Sequence, residues 1–208
     1  MSTLTESTPI TRIGPEHNGL RLSPEEFDAI DVWDPDYRYE LIHGVVVVNP
    51  IPLESEVDPN EELGYLLRVY RDDNPHGQNL DRTLPERYVY LPDGSRRRAD
   101  RVIWTGLGRR PRPKLDVPSL IVELVSQSKR DVLRDYVDKK AEYLNLGVEE
   151  YWVIDRFRRT MTVFRPDDET QISEDQTYQT PLLPGFQLEL QRLFSLADDW
   201  DSESPAND

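Results

Sequence analysis

The segment that most constrains the fold is residues 119–126, which read Ser-Leu-Ile-Val-Glu-Leu-Val-Ser. Side chains alternate between the two faces of a strand, and this segment is apolar on both faces apart from Glu123. Such a strand is typical of the centre of a sheet that is covered on both sides. An ionised carboxylate there is costly unless it is paired or binds a metal. Glu123 therefore has a partner, or it lies at the strand end and meets solvent or an arginine.

Helices and strands are interleaved around this segment. Capping residues, apolar spacing and a closing glycine at Gly147 predict helices over residues 24–30, 58–73 and 131–146. The predicted strands are 37–42, 45–48, 87–91, 101–104, 119–126, 151–154, 160–164, 178–183 and 186–190. Because the order does not alternate strictly, we expect an α/β domain with a mixed β-sheet, an N-terminal antiparallel hairpin and flanking helices.

The chain ends differ in composition from its middle. Residues 1–22 mix Ser, Thr, Pro and Gly without a period, and residues 197–208 are acidic. We expect a flexible N-terminal tail over residues 1–22, one domain over residues 23–196 and an acidic C-terminal tail over residues 197–208.

Several classes of site and location are excluded by composition. The sequence has no cysteine, which removes disulfides, thiolate zinc sites and thiol nucleophiles. Its three histidines do not form an HxxxH pair, so a histidine-rich metal site is not expected. No long apolar run predicts a membrane span, and the N-terminus lacks the pattern of a signal peptide. The expectation is a cytoplasmic protein without membrane contact.

The charge is strongly acidic but unevenly distributed. Lys and Arg total 25 against 40 Asp and Glu, for a net charge of −15, which argues against a protein that coats nucleic acid. Residues 93–114 instead carry a local net charge of +6, from eight basic and two acidic side chains. The basic ones are Arg96, Arg97, Arg98, Arg101, Arg109, Arg110, Arg112 and Lys114. This stretch permits local phosphate contact, and a solvated loop is an equal alternative.

Asp100 is the acidic residue best placed to join Glu123. It opens the strand that precedes the strand of Glu123, and sequential strands are usually neighbours in space. If the two strands pair, their carboxylates converge at one sheet edge, where a hard divalent cation relieves their repulsion. The alternative is a loop aspartate that pairs with the arginines at 96–98.

Two lysines and one further acid complete the candidates. Lys139 and Lys140 flank the apolar stripe of the helix after Glu123. Either can extend its ammonium group to solvent or reach the carboxylates, and Asp135 at i−4 can pair with Lys139. Glu40 shares a strand face with Ile42, so it is a partly buried carboxylate or a solvent-facing one.

Four sequence blocks carry a resemblance to a known family. They are Tyr-Glu-Leu-Ile-His-Gly at 39–44, Pro-Ser-Leu-Ile-Val-Glu-Leu-Val-Ser at 118–126, Asp-x3-Lys-x3-Tyr at 135–143 and Gly-Val-x2-Tyr-Trp-Val-Ile-Asp at 147–155. In this order the chain resembles the Uma-type family of putative restriction endonucleases, in the PD-(D/E)xK nuclease superfamily. The resemblance implies a restriction-endonuclease-like core and assigns catalytic positions to Asp100, Glu123, Lys139 and Glu40.

The resemblance also implies a reaction and its partners. It predicts hydrolysis of phosphodiester bonds in nucleic acid, with double-stranded DNA as the expected substrate and Mg²⁺ or Mn²⁺ held by Asp100, Glu123 and the carbonyl of Leu124. Backbone phosphates would be contacted by Arg96, Arg97, Arg98 and Arg101, and a homodimer is expected by analogy. Two alternatives stay open: a catalytically inactive binding or dimerisation module, and a nuclease that needs a partner protein to contact DNA.

Val125 stands where the superfamily has its lysine, and the resemblance implies that in this family the role passes to the helix position of Lys139. The chain departs from the family pattern at three points. The residue before Asp100 is Ala99 rather than Pro. Residues 50–62 contain no histidine, and Arg156 follows Asp155 where the family often has Pro. The missing histidine affects the expected substrate contacts more than the metal site, because the four core positions are intact.

Overall fold

A computed structural model describes residues 10–125 and 134–202, and its contacts divide the chain into two compact units. The first unit comprises residues 1–51 and 90–98, and the second comprises residues 52–89 and 99–208. Among the helices described, none is long and apolar enough to cross a membrane.

The first unit is built on an antiparallel hairpin. Its elements are β1 (Arg12–Ile13), α1 (Pro24–Asp28), β2 (Val32–Trp33), β3 (Tyr37–Ile42) and β4 (Val45–Pro50). The turn between β3 and β4 has positive φ at His43 (49°) and Gly44 (75°), as the two-residue hairpin prediction required. The predicted capping box is also confirmed, because Ser23 Oγ accepts from Glu26 N and Glu26 Oε2 accepts from Ser23 N.

Part of each predicted tail packs against the rest of its unit. β1 pairs in parallel with β2, and Ile13 and Leu22 are buried, so these apolar side chains hold part of residues 10–22 in the first unit. At the other end, helix α4 continues from Leu190 to Ser202 and buries Ala197, which lies beyond the predicted domain boundary. Residues 1–9 and 203–208 lie outside the described residues.

The second unit contains the large mixed sheet. Its elements are α2 (Glu54–Asp73), β5 (Leu80–Tyr90), β6 (Arg96–Thr105), β7 (Leu120–Leu124), a π-helical segment (Arg134–Lys139), α3 (Lys140–Leu146), β8 (Glu150–Asp155), β9 (Thr160–Phe164), β10 (Glu169–Ser173), β11 (Thr177–Tyr178), β12 (Leu188–Glu189) and α4. The end of β5 and the start of β6 fall within the first unit. In this unit the strands are ordered β10-β9-β8-β7-β6-β5. β7 and β8 are parallel, whereas β6–β7, β8–β9 and β9–β10 are antiparallel, so the predicted mixed sheet is confirmed.

Strand β7 is covered on both faces, as its sequence predicts. On one face Leu120 and Val122 belong to the apolar core with residues of α2 and α4. On the other face Tyr143 of α3 packs against Tyr151 of β8, with ring centroids 5.2 Å apart. Burial of each such large apolar side chain stabilises the fold by roughly 1.5–3 kcal/mol.

Several predicted helix and strand bounds differ from those of the structure. Helix α2 begins at Glu54 rather than at residue 58, because Glu56 accepts a hydrogen bond from Leu53 N, and Pro59 lies inside the helix. The predicted strands 178–183 and 186–190 contribute only β11 and β12, which form a separate two-stranded sheet. Pro181 and Pro184 lack the N–H groups of a strand ladder, and Gly185 has φ +83°. The sheet edge is instead β10, which the sequence analysis missed.

The predicted helix over residues 131–146 is described from residue 134 onward. Its first part is π-helical and its second part is α3, which ends at Gly147 in the left-handed conformation (φ +100°) as predicted. Residues 131–133 lie outside the described residues.

Candidate active site

Asp100 and Glu123 meet at one end of the β6–β7 pair. Arg101 pairs with Val122, and continuing this antiparallel register places Asp100 opposite Glu123. The backbone N–H of Leu124 donates to Asp100 Oδ2 at 2.8 Å, which fixes the Asp100 carboxylate beside β7. Strand pairing therefore brings together the two acids that the sequence singled out.

Glu123 has partners on both of its carboxylate oxygens. Its side chain is 3% exposed, with Lys139 Nζ 2.9 Å from Oε2 and the Tyr143 hydroxyl donating to Oε1 at 3.2 Å. Burial raises the pKa of Glu123 well above its ordinary value, and the nearby charges of Asp100 and Asp135 add to this. The Lys139 ammonium opposes the rise in the pKa. Of the two possibilities left by the sequence, the structure shows a paired, buried carboxylate.

The structure distinguishes the two lysines. Lys139 is buried and reaches the Glu123 carboxylate, whereas Lys140 bonds Glu169 Oε2 at 2.9 Å. The Lys140 ammonium also lies 4.0 Å from the centre of the Phe164 ring. Of these two lysines, Lys139 therefore belongs to the cluster.

Asp135 is a member of the cluster that the sequence analysis considered only as an alternative partner of Lys139. Its side chain is 3% exposed, and its Oδ1 lies 3.3 Å from Lys139 Nζ. Lys139 thus lies between Asp135 and Glu123. The i,i+4 spacing was the available signal, but spacing alone could not show that both partners bind the same ammonium.

Strand β8 holds the π-helical segment that carries Asp135 and Lys139. The Tyr151 hydroxyl donates to the carbonyl of Asp135 at 3.0 Å. The Tyr136 hydroxyl donates to Asp155 Oδ2 at 3.3 Å, and Asp155 Oδ1 accepts the backbone N–H of residues 157 and 158. Because β8 is the parallel neighbour of β7, these bonds position the lysine relative to Glu123.

The cluster is acidic and made of oxygen donors. Among the described residues, Asp100 and Asp135 add negative charge near Glu123 and Lys139 opposes it, so a proton or a cation would offset the excess negative charge. Carboxylate oxygens are donors of the kind that Mg²⁺ prefers. The donor set therefore fits Mg²⁺ chemically. Within residues 10–125 and 134–202 there is no group of three His, Cys, Asp or Glu side chains arranged to hold a metal ion.

Glu40 lies in the first unit and is also buried. Its Oε1 accepts the backbone N–H of Arg98 at 2.9 Å, and its Oε2 accepts from Asn49 Nδ2 at 3.3 Å. Of the two readings left open by the sequence, the buried one is observed, and a role as an accessory acid stays a prediction.

The arginines predicted to contact phosphate are mostly engaged inside the protein. Arg97 is buried, and Arg101 is fully buried, with its guanidinium bonded to Asn60 and Thr83. Arg96 bonds Asp28 and lies 4.7 Å from the centre of the Tyr90 ring. The predicted phosphate contact of Arg101 is therefore corrected, because a guanidinium in the interior does not present its N–H groups to a phosphate backbone. Arg98 is half-buried.

The exposed part of the basic stretch is the loop of residues 106–118 between β6 and β7. Arg109 forms two bonds of 2.7 Å to Asp116, and Arg112 N donates to Asp116 Oδ2 at 2.6 Å. Arg110, Arg112 and Lys114 are exposed. Trp104 Nε1 donates to the carbonyl of Asp116 at 2.9 Å, so the loop is anchored to buried β6.

Comparison with known proteins agrees with the fold and with the sequence resemblance. A family described as Uma2, "Putative restriction endonuclease", matches residues 24–191, and the chain belongs to this family. Its fold is similar to the crystal structure of a putative nuclease of the DUF820 family from Anabaena variabilis, with a TM-score of 0.68 and 19% identity. The likeness covers 85% of this chain and 99% of that one. A search of curated proteins gave no match.

Proposed function

We propose that this protein is a metal-dependent endonuclease that hydrolyses phosphodiester bonds in nucleic acid, with DNA as its substrate. The observation that carries the proposal is the buried contact of 2.9 Å between Lys139 Nζ and Glu123 Oε2, beside the hydrogen-bonded carboxylate of Asp100. Membership of a restriction-endonuclease family supports a nuclease.

The acids and the lysine would have different roles. Asp100, Glu123 and the carbonyl of Leu124 would hold Mg²⁺, or Mn²⁺ in its place. Bound there, the ion would act as a Lewis acid and would lower the pKa of a bound water. Lys139 would stabilise the negative charge that develops on the phosphate oxygens, since its ammonium is already held in place by Asp135. Glu40 is proposed to act as an accessory acid.

Substrate contact is proposed to be local. With a net charge of −15, the protein repels DNA over most of its surface, so basic side chains must be concentrated where DNA binds. The exposed arginines and lysine of loop 106–118 and half-buried Arg98 suit this contact better than the buried Arg97 and Arg101. A homodimer is also proposed, because cutting both strands of a duplex needs two sites. Light scattering of the purified chain measures its oligomeric state.

A catalytically inactive nuclease-fold module is the second candidate. One observation favours it: both oxygens of Glu123 already have protein partners, Lys139 and Tyr143. In that case the acids would serve the fold and no ion would be needed.

Calorimetry with Mn²⁺ and Mg²⁺ separates the two candidates without a choice of substrate. The variant is Asp100→Asn/Glu123→Gln, and the control is Glu169→Gln/Asp175→Asn, which removes the same number of charges from exposed positions. We expect the wild type and the control to bind metal and the variant not to bind. Cleavage of plasmid DNA with Mg²⁺ should follow the same pattern.

The opposite results would favour the inactive module. No binding by the wild type at millimolar metal, with or without DNA, would reject a metal site. Equal binding by the wild type and the double variant would reject these two residues as its ligands.

A further inference from the structure

A fully buried arginine lies directly next to Asp100 in sequence. Arg101 is 0% exposed and extends from β6 toward helix α2. The helix makes room for it at Gly64, where a Cβ atom would lie 2.6 Å from Arg101 Nη2. Burial lowers the pKa of Arg101 to about 10, so the guanidinium stays charged at neutral pH and acts only as a donor.

Asn60 of α2 connects this guanidinium to the backbone of Asp100. Its Oδ1 accepts from Arg101 Nε at 2.8 Å, and its main-chain carbonyl accepts from Arg101 Nη2 at 2.6 Å. Its Nδ2 donates to the carbonyl of Asp100 at 2.9 Å. Because Arg101 can only donate, it sets which end of the Asn60 amide faces it, and the amide NH₂ is left directed at Asp100.

Alternation along β6 separates the two sides of this arrangement. Arg101 faces α2, so the preceding side chain, Asp100, faces the opposite side of the sheet. There the Asp100 carboxylate accepts from Leu124 N, and its own carbonyl is held from behind by Asn60. Asp100 is thus held by two hydrogen bonds, one to its carboxylate and one to its backbone carbonyl.

We propose that Asn60, oriented by Arg101, is a positioning residue that fixes Asp100 for its role in the active site. The inference rests on the proposed function for its catalytic meaning. Groups that orient metal ligands in this way typically change metal affinity by about 10- to 100-fold when they are replaced.

The test compares Asn60→Asp with Thr83→Val. The aspartate keeps an oxygen acceptor for Arg101 but places an oxygen where the donor to Asp100 was. Thr83 Oγ1 accepts from Arg101 Nη1 at 3.1 Å and has no bond to Asp100, so T83V perturbs the same arginine as a matched control. If N60D does not fold, Asn60→Ser withdraws the amide donor from Asp100 by shortening the side chain, without adding a buried charge.

The readout that needs no metal is the backbone amide of Leu124, followed by NMR chemical shift and hydrogen exchange. We expect N60D to shift this resonance and speed its exchange, while T83V leaves both unchanged. Mn²⁺ affinity should fall about 10- to 100-fold in N60D alone.

The inference is overturned if the Leu124 amide is unchanged in N60D, or changes equally in both variants. It is also overturned if the amide responds but Mn²⁺ affinity does not. A wild type that binds no Mn²⁺ would reject the proposed function and the catalytic meaning of Asn60, whereas an unchanged amide with normal wild-type binding would reject the positioning role alone.

Discussion

At the scale of single residues, the buried pair of Glu123 and Lys139 dominates the site. Moving two charges out of water has a large desolvation cost, which their mutual attraction offsets only in part. The raised pKa of Glu123 expresses this cost, because burial favours its protonated form. The net contribution of such a pair to stability is therefore small.

The first prediction is that Glu123→Gln stabilises the metal-free protein, and does so increasingly as pH rises. Because burial raises the pKa of Glu123 in the folded protein, the folded chain holds this proton to a higher pH than the unfolded chain, whose glutamate titrates near 4.5. Wild-type stability therefore falls as pH rises from 4.5 toward the folded pKa, and the glutamine lacks this loss. Urea unfolding of both proteins between pH 4.5 and 8 measures it. A difference that is constant with pH would contradict the assigned direction of the pKa shift.

The second prediction concerns the two lysines. Lys139→Met removes the ammonium between Glu123 and Asp135 and should abolish nucleic-acid cleavage. Leaving buried carboxylates without their partner typically lowers the free energy of unfolding at neutral pH by about 3–5 kcal/mol. The control Lys140→Met removes an exposed ion pair and should cost less than about 1 kcal/mol, with cleavage retained. Equal effects in the two variants, by cleavage assay and urea unfolding, would reject the assignment of Lys139.

At the scale of elements, close approach between helix α2 and strand β6 supports the site. The side chain of Arg101 crosses from β6 to α2 and bonds Asn60, one turn before Gly64. A glycine inside a helix normally lowers stability by about 1 kcal/mol relative to alanine. Here it provides the space that the buried guanidinium occupies.

The third prediction is that Gly64→Ala destabilises the protein despite the better helix propensity of alanine. The new Cβ would lie 2.6 Å from a guanidinium that has no exposed space to move into. Overpacking of this kind costs about 1–3 kcal/mol, measured by urea unfolding. Combining Gly64→Ala with Arg101→Met should relieve the clash, so the double variant should lose less stability than the sum of the single variants. Additive losses would show that the two residues do not conflict.

At the scale of the whole molecule, charge is the property that limits substrate contact. Acidic side chains outnumber basic ones by 15, while loop 106–118 exposes Arg110, Arg112 and Lys114. Phosphate contacts release counterions, so binding through such a loop must weaken as salt rises.

The fourth prediction is that Arg110→Gln/Lys114→Gln weakens DNA binding and flattens its salt dependence. Each lost phosphate contact reduces the slope of log affinity against log salt by about 0.9. Fluorescence anisotropy with duplex DNA, without divalent metal, measures the slope. Arg71→Gln/Arg82→Gln makes the same change in net charge at other exposed or half-buried positions and should leave the slope nearly unchanged. A similar loss in both variants would show only a general charge effect.

Local sequence patterns alone predicted several elements of the fold and the pair of acids in the candidate site. The doubly apolar segment around Glu123 indicated a central strand, the glycine turn indicated the β3–β4 hairpin, and Gly147 marked the end of α3. Strand adjacency indicated that Asp100 and Glu123 would converge. These inferences succeed because periodicity and turn chemistry depend on residues close together in the chain.

Only the tertiary structure could decide which polar groups are buried together. Arg101 contacts Asn60 across 41 positions of sequence, so a residue that reads as a surface cation lies in the interior. Packing of the π-helical segment likewise decides that Lys139, and not Lys140, reaches Glu123. It also places Asp135 beside the same ammonium. Near the C-terminus, prolines interrupted runs that looked like strands, and the polar segment β10 paired with β9 instead. Sequence by itself determined the central strand, the β3–β4 hairpin and the acidic pair. Packing between distant elements decided the partners, because burial and charge pairing depend on neighbours that no local pattern encodes.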